Sequence, residues 1–220
     1  MSETPTRIAA RILIETESVL FRPDEPFTFT SGRVSPVYVD CRRLISFPEA
    51  RQTLMAMMAD QIRQAVDADA LTSIAGGETA GIPFAAWIAD RLSLPMIYVR
   101  KEPKGFGRNA RIEGVLAEGD RVVLVEDLAT DGGSKLNFVE AIRNAGAVCS
   151  DTFVVFNYGI FPKGVEELKK TGVTLHALAT WWDVLDCARD EGCFDNDTIG
   201  KVEAFLHAPD DWATAQATNG

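Results

Sequence analysis

Glu126 and Asp127 stand side by side after the apolar run Val122-Val-Leu-Val125, and a loop of Leu128, Ala129, Thr130, Asp131, Gly132, Gly133 and Ser134 follows them. Beyond the loop, Phe138, Val139 and Ile142 recur at helical spacing. This order predicts a buried strand that ends at the two carboxylates, a tight turn and a helix. Ligands of open parallel α/β sheets sit outside the carboxyl ends of the strands, which is where the two acids fall. Paired glycines let successive backbone N–H groups converge at a helix N-terminus, a concave face that suits a phosphate monoester. Carboxylates cannot ligate phosphate, so the acids need another partner: ribose hydroxyls, or the water shell of a metal ion. The alternative is a strand end with solvated acids and an ordinary turn.

Two further stretches carry chemistry. Gly76-Gly77-Glu78-Thr79-Ala80-Gly81 follows the short apolar strand expected at Leu71–Ala75. Backbone amides at Glu78, Thr79 and Ala80 can meet phosphate oxygens without any side chain, although a turn made only for close strand-to-helix packing would look the same. Arg100-Lys101-Glu102-Pro103-Lys104-Gly105-Phe106-Gly107-Arg108-Asn109-Ala110-Arg111 sets five cations against one acid, a local charge of +4 in a chain of −10. Pro103, Gly105 and Gly107 argue against a helix there. Gly105 to Ala110 matches the form G-x-G-x-x-A, but Arg111-Ile-Glu-Gly is turn-like and no apolar helix follows, so a dinucleotide fingerprint is set aside. No G-x-x-x-x-G-K-[ST] loop occurs in the chain. A basic, flexible loop beside two phosphate-binding turns remains, against the alternative of a solvated charge run.

The elements that must position these residues follow from periodicity. Thr6 to Leu20 reads as an amphipathic helix, and Phe27 to Arg42 alternates apolar and polar residues about Ser31-Gly32, as two short strands around a turn would. A helix opens at Pro48 and runs to about Val66 with Leu54, Met58, Ile62 and Val66 on one face, the methionines serving as core filler. Strands near 71, 97, 122, 152 and 174 alternate with helices, giving an α/β fold with five largely parallel strands. Asn157 to Lys163 stands at the carboxyl end of the strand beginning at Cys149, and Trp181 and Trp182 are packing residues.

Composition narrows the function. With 220 residues, 46% apolar and 25% charged, the chain suits one globular α/β domain with a sizeable core. No stretch approaches the roughly 18 apolar residues of a membrane span, and Met1 to Ala10 lacks the features of a signal peptide, so a cytoplasmic protein is expected. Cys41, Cys149, Cys187 and Cys193 form no C-x-x-C pair, and with only His176 and His207 beside them a structural zinc site is not expected; reduced thiols are. Asn196-Asp197-Thr198 reads as a helix start rather than a glycosylation acceptor. The net charge of −10 argues against general nucleic-acid binding, so an anionic ligand must be met by a locally basic site.

Glu126 to Ser134 resembles the 5-phosphoribosyl-1-diphosphate (PRPP) binding motif of type I phosphoribosyltransferases, which by itself names no base. The segment Phe29-x-Ser31-Gly32-x-x-Ser35-Pro36-x-Tyr38-x-Asp40 resembles the amino-terminal signature of the orotate phosphoribosyltransferases, and Arg100-Lys101-x-x-Lys104 resembles their catalytic lid. With the Gly76–Gly81 turn, which resembles the family's diphosphate loop, the resemblance covers roughly residues 20 to 185, with four motifs in the family's order.

It implies a type I phosphoribosyltransferase fold in a single domain, 1–220. Within it, residues 1–45 form the N-terminal helix and a hood over the base, 70–180 the PRPP-binding core, and 181–220 C-terminal helices that add to the hood. It further implies transfer from PRPP to orotate in pyrimidine synthesis, Mg²⁺ held mainly through PRPP and diphosphate, and a homodimer. Implied contacts are Glu126 and Asp127 to ribose hydroxyls, residues 128–134 to phosphate, and Glu78, Thr79 and Ala80 to diphosphate. Arg100, Lys101 and Lys104 would serve the leaving group, and Phe29, Ser31, Gly32 and Arg33 the base. The chain departs from the pattern at Thr30, where many members have Lys, and at Thr79-Ala80, where some have Tyr-Lys. At Phe106 many have His, and Arg108 is the stand-in cation; no Arg follows Asn157, leaving Lys163 for the orotate carboxylate. Rival readings are a phosphoribosyltransferase for another base and a PRPP-sensing regulator; the latter fits neither the lid nor the lack of a basic DNA-binding module.

Overall fold

The computed structural model describes residues 3–29, 32, 34–67, 69–104, 111–130 and 133–212; Thr30, Ser31, Arg33, Phe106, Arg108, Asp131 and Gly132 lie outside the described residues. Along the chain these residues form α1 (Pro5–Glu15), β1 (Val19–Phe21), β2 (Phe27–Thr28), β3 (Val34–Ser35), β4 (Val37–Val39), a 3-10 turn (Cys41–Ser46) and α2 (Pro48–Ala65). Then come β5 (Ser73–Gly77), α3 (Gly81–Leu92), β6 (Met96–Val99), β7 (Ile112–Glu113), β8 (Arg121–Ala129), α4 (Gly133–Asn144) and β9 (Val148–Asn157). The chain closes with α5 (Pro162–Lys170), β10 (Thr174–Thr180), α6 (Trp181–Glu191) and α7 (Asn196–His207). They gather into two compact units, Arg51–Leu178, and Met1–Ala50 together with Ala179–Gly220.

The larger unit holds a six-stranded sheet in the order β10-β9-β8-β5-β6-β7. β5 pairs in parallel with β6 and with β8, and β8 pairs in parallel with β9. Val122 to Val125 are all buried, as a strand covered on both faces requires. Val122, Leu124, Phe138, Val139, Ile142, Cys149 and Leu168 share one apolar cluster, so the helical stripe read from the sequence does face the sheet. Leu54, Met58 and Ile62 are fully buried along α2; Met55 is a core residue as well, whereas Met57 is half-buried.

Three expectations are corrected in this unit. The sheet has six strands rather than five, because Ile112–Glu113 turns back antiparallel along β6 instead of forming a turn. The Arg100 amide donates to the Arg111 carbonyl at 2.8 Å and Arg111 Nε donates to the Arg100 carbonyl at 2.9 Å, closing the base of the basic loop as a hairpin. β8 does not stop at its carboxylates: Glu126, Leu128 and Ala129 pair with Val154, Phe156 and Asn157 of β9, whose ladder continues past the apolar run and satisfies those backbone groups. β5 likewise runs two residues beyond Ala75, with Gly76 and Gly77 opposite Tyr98 and Val99.

In the smaller unit α1 ends at Glu15, not Leu20. Thr16 Oγ1 donates to the Ile12 carbonyl at 2.7 Å, Glu17 takes a φ of 52°, and Val19–Phe21 pairs antiparallel with β4. The expected hairpin forms, with Phe27 opposite Ser35 and Thr28 opposite Val34. Gly32 turns it at φ +80°, a conformation open to glycine, and its amide donates to the Phe29 carbonyl at 2.8 Å. Trp181 is fully buried with its ring centroid 5.9 Å from that of Phe21, the packing role expected of it. Asp195 caps α7 by accepting from the Thr198 amide at 2.7 Å, so the Asn196-Asp197-Thr198 cluster is a helix start.

Candidate active site

Parallel pairing of β5, β6, β8 and β9 brings their carboxyl ends to one edge of the sheet. Glu78–Ala80, Arg100–Lys104, Glu126–Thr130 with Gly133–Ser134, and Asn157–Lys163 therefore leave the same edge, although 79 residues separate Glu78 from Asn157 in the chain. A cavity of about 180 Å³ lined by Val66, Asp67, Leu71, Arg121, Val148 and Asp151 lies where β5, β8 and β9 begin, away from these groups.

Side chains alternate along a strand, so the adjacent acids of β8 point to opposite faces. Glu126 shares the face of Val122 and Leu124 and is buried, 6% exposed, whereas Asp127 is half-buried. Burial pushes the Glu126 carboxyl up to about 7; Lys135 pulls it down, the charge of Asp127 pushes it up, and the Gly77 backbone draws it down a little. A carboxyl held there is far from the solvated strand-end acid that the alternative reading required. Its Oε2 lies 3.6 Å from Lys135 Nζ, and its Oε1 has no hydrogen-bond partner among the described residues.

Gly77 and Gly81 explain how the second turn reaches this carboxylate. A Cβ at either position would collide with Glu126 Oε1, and one at Gly77 would also stand 2.6 Å from Phe138 Cε2. The absence of side chains is what lets the end of β5 and the start of α3 close over the acid. Thr79 is exposed and Glu78 and Ala80 are half-buried at the N-terminus of α3, where helix N–H groups lack carbonyl partners within the helix. The Glu78–Thr79 peptide is cis.

Lys135 is the residue that reading the sequence missed. It stands three, four and seven positions before Phe138, Val139 and Ile142, on the buried stripe of α4, and is 5% exposed. A lysine on an apolar stripe was the available signal. Its Nζ donates to Ser134 Oγ at 3.1 Å. Of the loop itself, Leu128 and Thr130 are half-buried, Ala129 is buried with its carbonyl accepting from the Tyr158 amide at 2.9 Å, and Gly133 and Ser134 open α4.

Glu113 on β7 was also missed. Lys104 Nζ forms an ion pair with Glu113 Oε1, and Arg100 Nη1 lies 3.6 Å from the same oxygen. Those contacts hold the Glu113 carboxyl below its ordinary range, the Lys104 hydrogen bond foremost. The Lys101 amide donates to Glu78 Oε2 at 2.8 Å, and Arg111 Nη1 donates to Asn137 Oδ1 at 2.8 Å. Arg100 Nε and Arg111 Nη2 are buried donors without a hydrogen-bond partner among the described residues.

Lys163 is exposed at the start of α5, and Tyr158, 5% exposed, stacks on Phe161 with ring centroids 6.1 Å apart. In the smaller unit, Phe29 is half-buried with its ring centroid 6.2 Å from that of Tyr38, and Asp40 Oδ1 accepts from the Arg42 amide at 3.1 Å. Phe29 and Gly32 are thus placed, while Ser31, Arg33, Arg108, Asp131 and Gly132 lie outside the described residues.

Among the described residues no group of three His, Cys, Asp or Glu side chains is arranged to hold a metal ion. Half-buried Asp127 beside a mainly basic rim fits a hard cation that keeps its waters and is held through substrate oxygens, as Mg²⁺ commonly is in phosphate sites.

A model of the phosphoribosyl transferase domain matches residues 48–182. The chain is 60% identical over 214 residues to the orotate phosphoribosyltransferase of Cereibacter sphaeroides, a match covering 97% of this chain and 92% of that protein. It is 56% identical over 209 residues to the Roseobacter denitrificans enzyme of the same name, covering 95% and 93% respectively. Among solved structures, the orotate phosphoribosyltransferase of Aeropyrum pernix superposes with a TM-score of 0.71 at 32% identity, covering 84% of this chain and 99% of that one. Near-complete overlap with relatives of this kind, on a fold whose parallel strands end in the expected motifs, shows that the chain belongs to the orotate phosphoribosyltransferases within the phosphoribosyl transferase domain family.

Proposed function

We propose that the chain transfers the 5-phosphoribosyl group of PRPP to orotate, yielding orotidine 5′-monophosphate and diphosphate in pyrimidine (UMP) synthesis, and acts as a single catalytic domain in the cytoplasm. The observation that carries the reading is the convergence at one sheet edge of a carboxylate pair, two helix N-termini and a hairpin base that carries Arg100, Lys101 and Lys104.

In this reading residues 128–134 take the 5′-phosphate, Glu126 and Asp127 take the 2′- and 3′-hydroxyls, and amides of Glu78, Thr79 and Ala80 take the diphosphate. Breaking the bond between ribose C1 and the diphosphate oxygen leaves positive charge on the sugar and negative charge on the leaving group. The carboxylates stabilise the first, and Arg100, Lys101, Lys104 and Arg108 the second. Mg²⁺, held mainly through substrate oxygens beside Asp127, would supply further charge neutralisation. No covalent nucleophile is needed, since orotate nitrogen attacks the oxocarbenium-like carbon directly. Lys163 pairs with the orotate carboxylate, and Phe29, Ser31, Gly32 and Arg33 contact the base. Closure of the 100–111 lid would exclude the water that hydrolyses PRPP. The active form is a homodimer, each hairpin serving its partner's site.

Diphosphate release from PRPP, measured separately with orotate, uracil, adenine and hypoxanthine, tests the reading. Turnover with orotate alone is expected. Turnover with another base and none with orotate would overturn the base assignment, and no release with any base would overturn the activity.

A further inference from the structure

Placing a lysine ammonium inside an apolar stripe is costly unless it is paired, and methionine would fill the same volume without that cost. Lys135 is nevertheless buried on the same helical stripe as Phe138, Val139 and Ile142, so its charge needs an explanation beyond packing. An ammonium offers three donors. One reaches Ser134 Oγ at 3.1 Å, at the start of α4. The charge also faces Glu126 Oε2 at 3.6 Å, across a pair whose side chains are 7% and 8% exposed. The other carboxylate oxygen, Oε1, is buried against Gly77 and Gly81 with no hydrogen-bond partner among the described residues. One buried cation therefore joins the loop assigned to the 5′-phosphate, the acid assigned to the ribose hydroxyls and, through that acid, the second glycine turn.

We propose that Lys135 is a positioning residue for PRPP, gripping Ser134 Oγ and Glu126 Oε2 so that the phosphate loop and the carboxylate end of β8 keep a set spacing for the sugar. Lys135 itself touches neither the sugar nor the reacting atoms. This rests on the reading of the site given above. A carboxylate released from the pair can rotate away from the sugar, and the oxocarbenium-like transition state then loses a charged neighbour while orotate binding is untouched.

Steady-state kinetics of Lys135→Met, Lys135→Arg, Glu126→Gln and the Lys135→Met/Glu126→Gln double variant, with melting curves for each, test the proposal. Lys135→Met is expected to lower kcat/KM for PRPP by about 10- to 100-fold, the loss of one charge-assisted contact, with the KM for orotate within about two-fold of the unaltered protein. Lys135→Arg is expected to recover part of that loss. In the Glu126→Gln background the same Lys135→Met change should cost less than about three-fold, since the two residues act as one unit. A folded Lys135→Met protein with undiminished kcat/KM, or one whose full loss persists in the Glu126→Gln background, overturns the proposal. Should Lys135→Met not fold, Lys135→Gln, which keeps donors without the charge, takes its place under the same thresholds. Absence of PRPP turnover in the unaltered protein would instead remove the functional reading, and this inference with it.

Discussion

The Lys101 amide donates a 2.8 Å hydrogen bond to Glu78 Oε2, tying the first residue after the β6–Arg100 segment to the turn that opens α3. Two stretches read separately from the sequence as a basic loop and a glycine turn are thereby one mechanical unit. Each borders the proposed diphosphate subsite.

Glu78→Ala should cut that tie while leaving the core untouched. The KM for PRPP is expected to rise by about 2- to 10-fold, as loss of one partly exposed hydrogen bond implies, with the KM for orotate and the melting temperature little changed. An unchanged PRPP KM would show that the hairpin base is held without Glu78.

Lys163→Ala bears on base recognition. If Lys163 supplies the cation for the orotate carboxylate, its removal should raise the KM for orotate by about 1.5–3 kcal/mol in binding terms, with that for PRPP nearly constant. Orotate KM measured at saturating PRPP decides it; no change would assign the carboxylate to backbone donors, such as those between Phe29 and Arg33.

Asp127→Asn and Lys101→Ala together test the shared site. Loss of a charged contact at the ribose should reduce turnover of Asp127→Asn by about 10²-fold or more, and Lys101→Ala lacks a working hairpin. If the hairpin of one subunit serves the pocket of the other, mixed dimers pair one intact hairpin with one intact pocket. Random subunit exchange between the two variants should then restore about a quarter of full activity, half the dimers being mixed with one good site each. Verified exchange without recovered activity would place the hairpin within its own chain.

Glu126 sets a pH dependence whose sign follows from its burial. Its carboxyl is raised from 4.5 to about 7 in the folded chain, so the folded state holds its proton more tightly than the unfolded state does. The stability linked to this group is fully present below pH 4.5 and is lost as pH rises toward 7. Between those limits the unaltered protein should lose on the order of a few kcal/mol from this source, and Glu126→Gln should lack that decline. Urea unfolding of both proteins at pH 5 and pH 7.5 measures it, and parallel pH profiles would contradict the burial argument.

The sequence alone settled the alternation of strands and helices, because Val122–Val125 and the stripe of Phe138, Val139 and Ile142 are local patterns whose periods match a buried strand and a helix. It also located the glycine turns and the basic loop, since those depend on residue type within a few positions. Element ends were less legible. β8 outlasts its apolar run because β9 supplies hydrogen bonds as far as Asn157, and α1 stops short of Leu20 because Val19–Phe21 finds a partner in β4; neither partner is near in sequence. The sixth strand depended likewise on Arg111 returning to Arg100. Only the tertiary structure could separate the two adjacent acids, burying Glu126 beneath Gly77 and Gly81 and against Lys135 while Asp127 stays half-buried. Burial is a property of what packs on a residue, and here the packing comes from β5, α3 and α4, elements brought together by the sheet rather than by the chain.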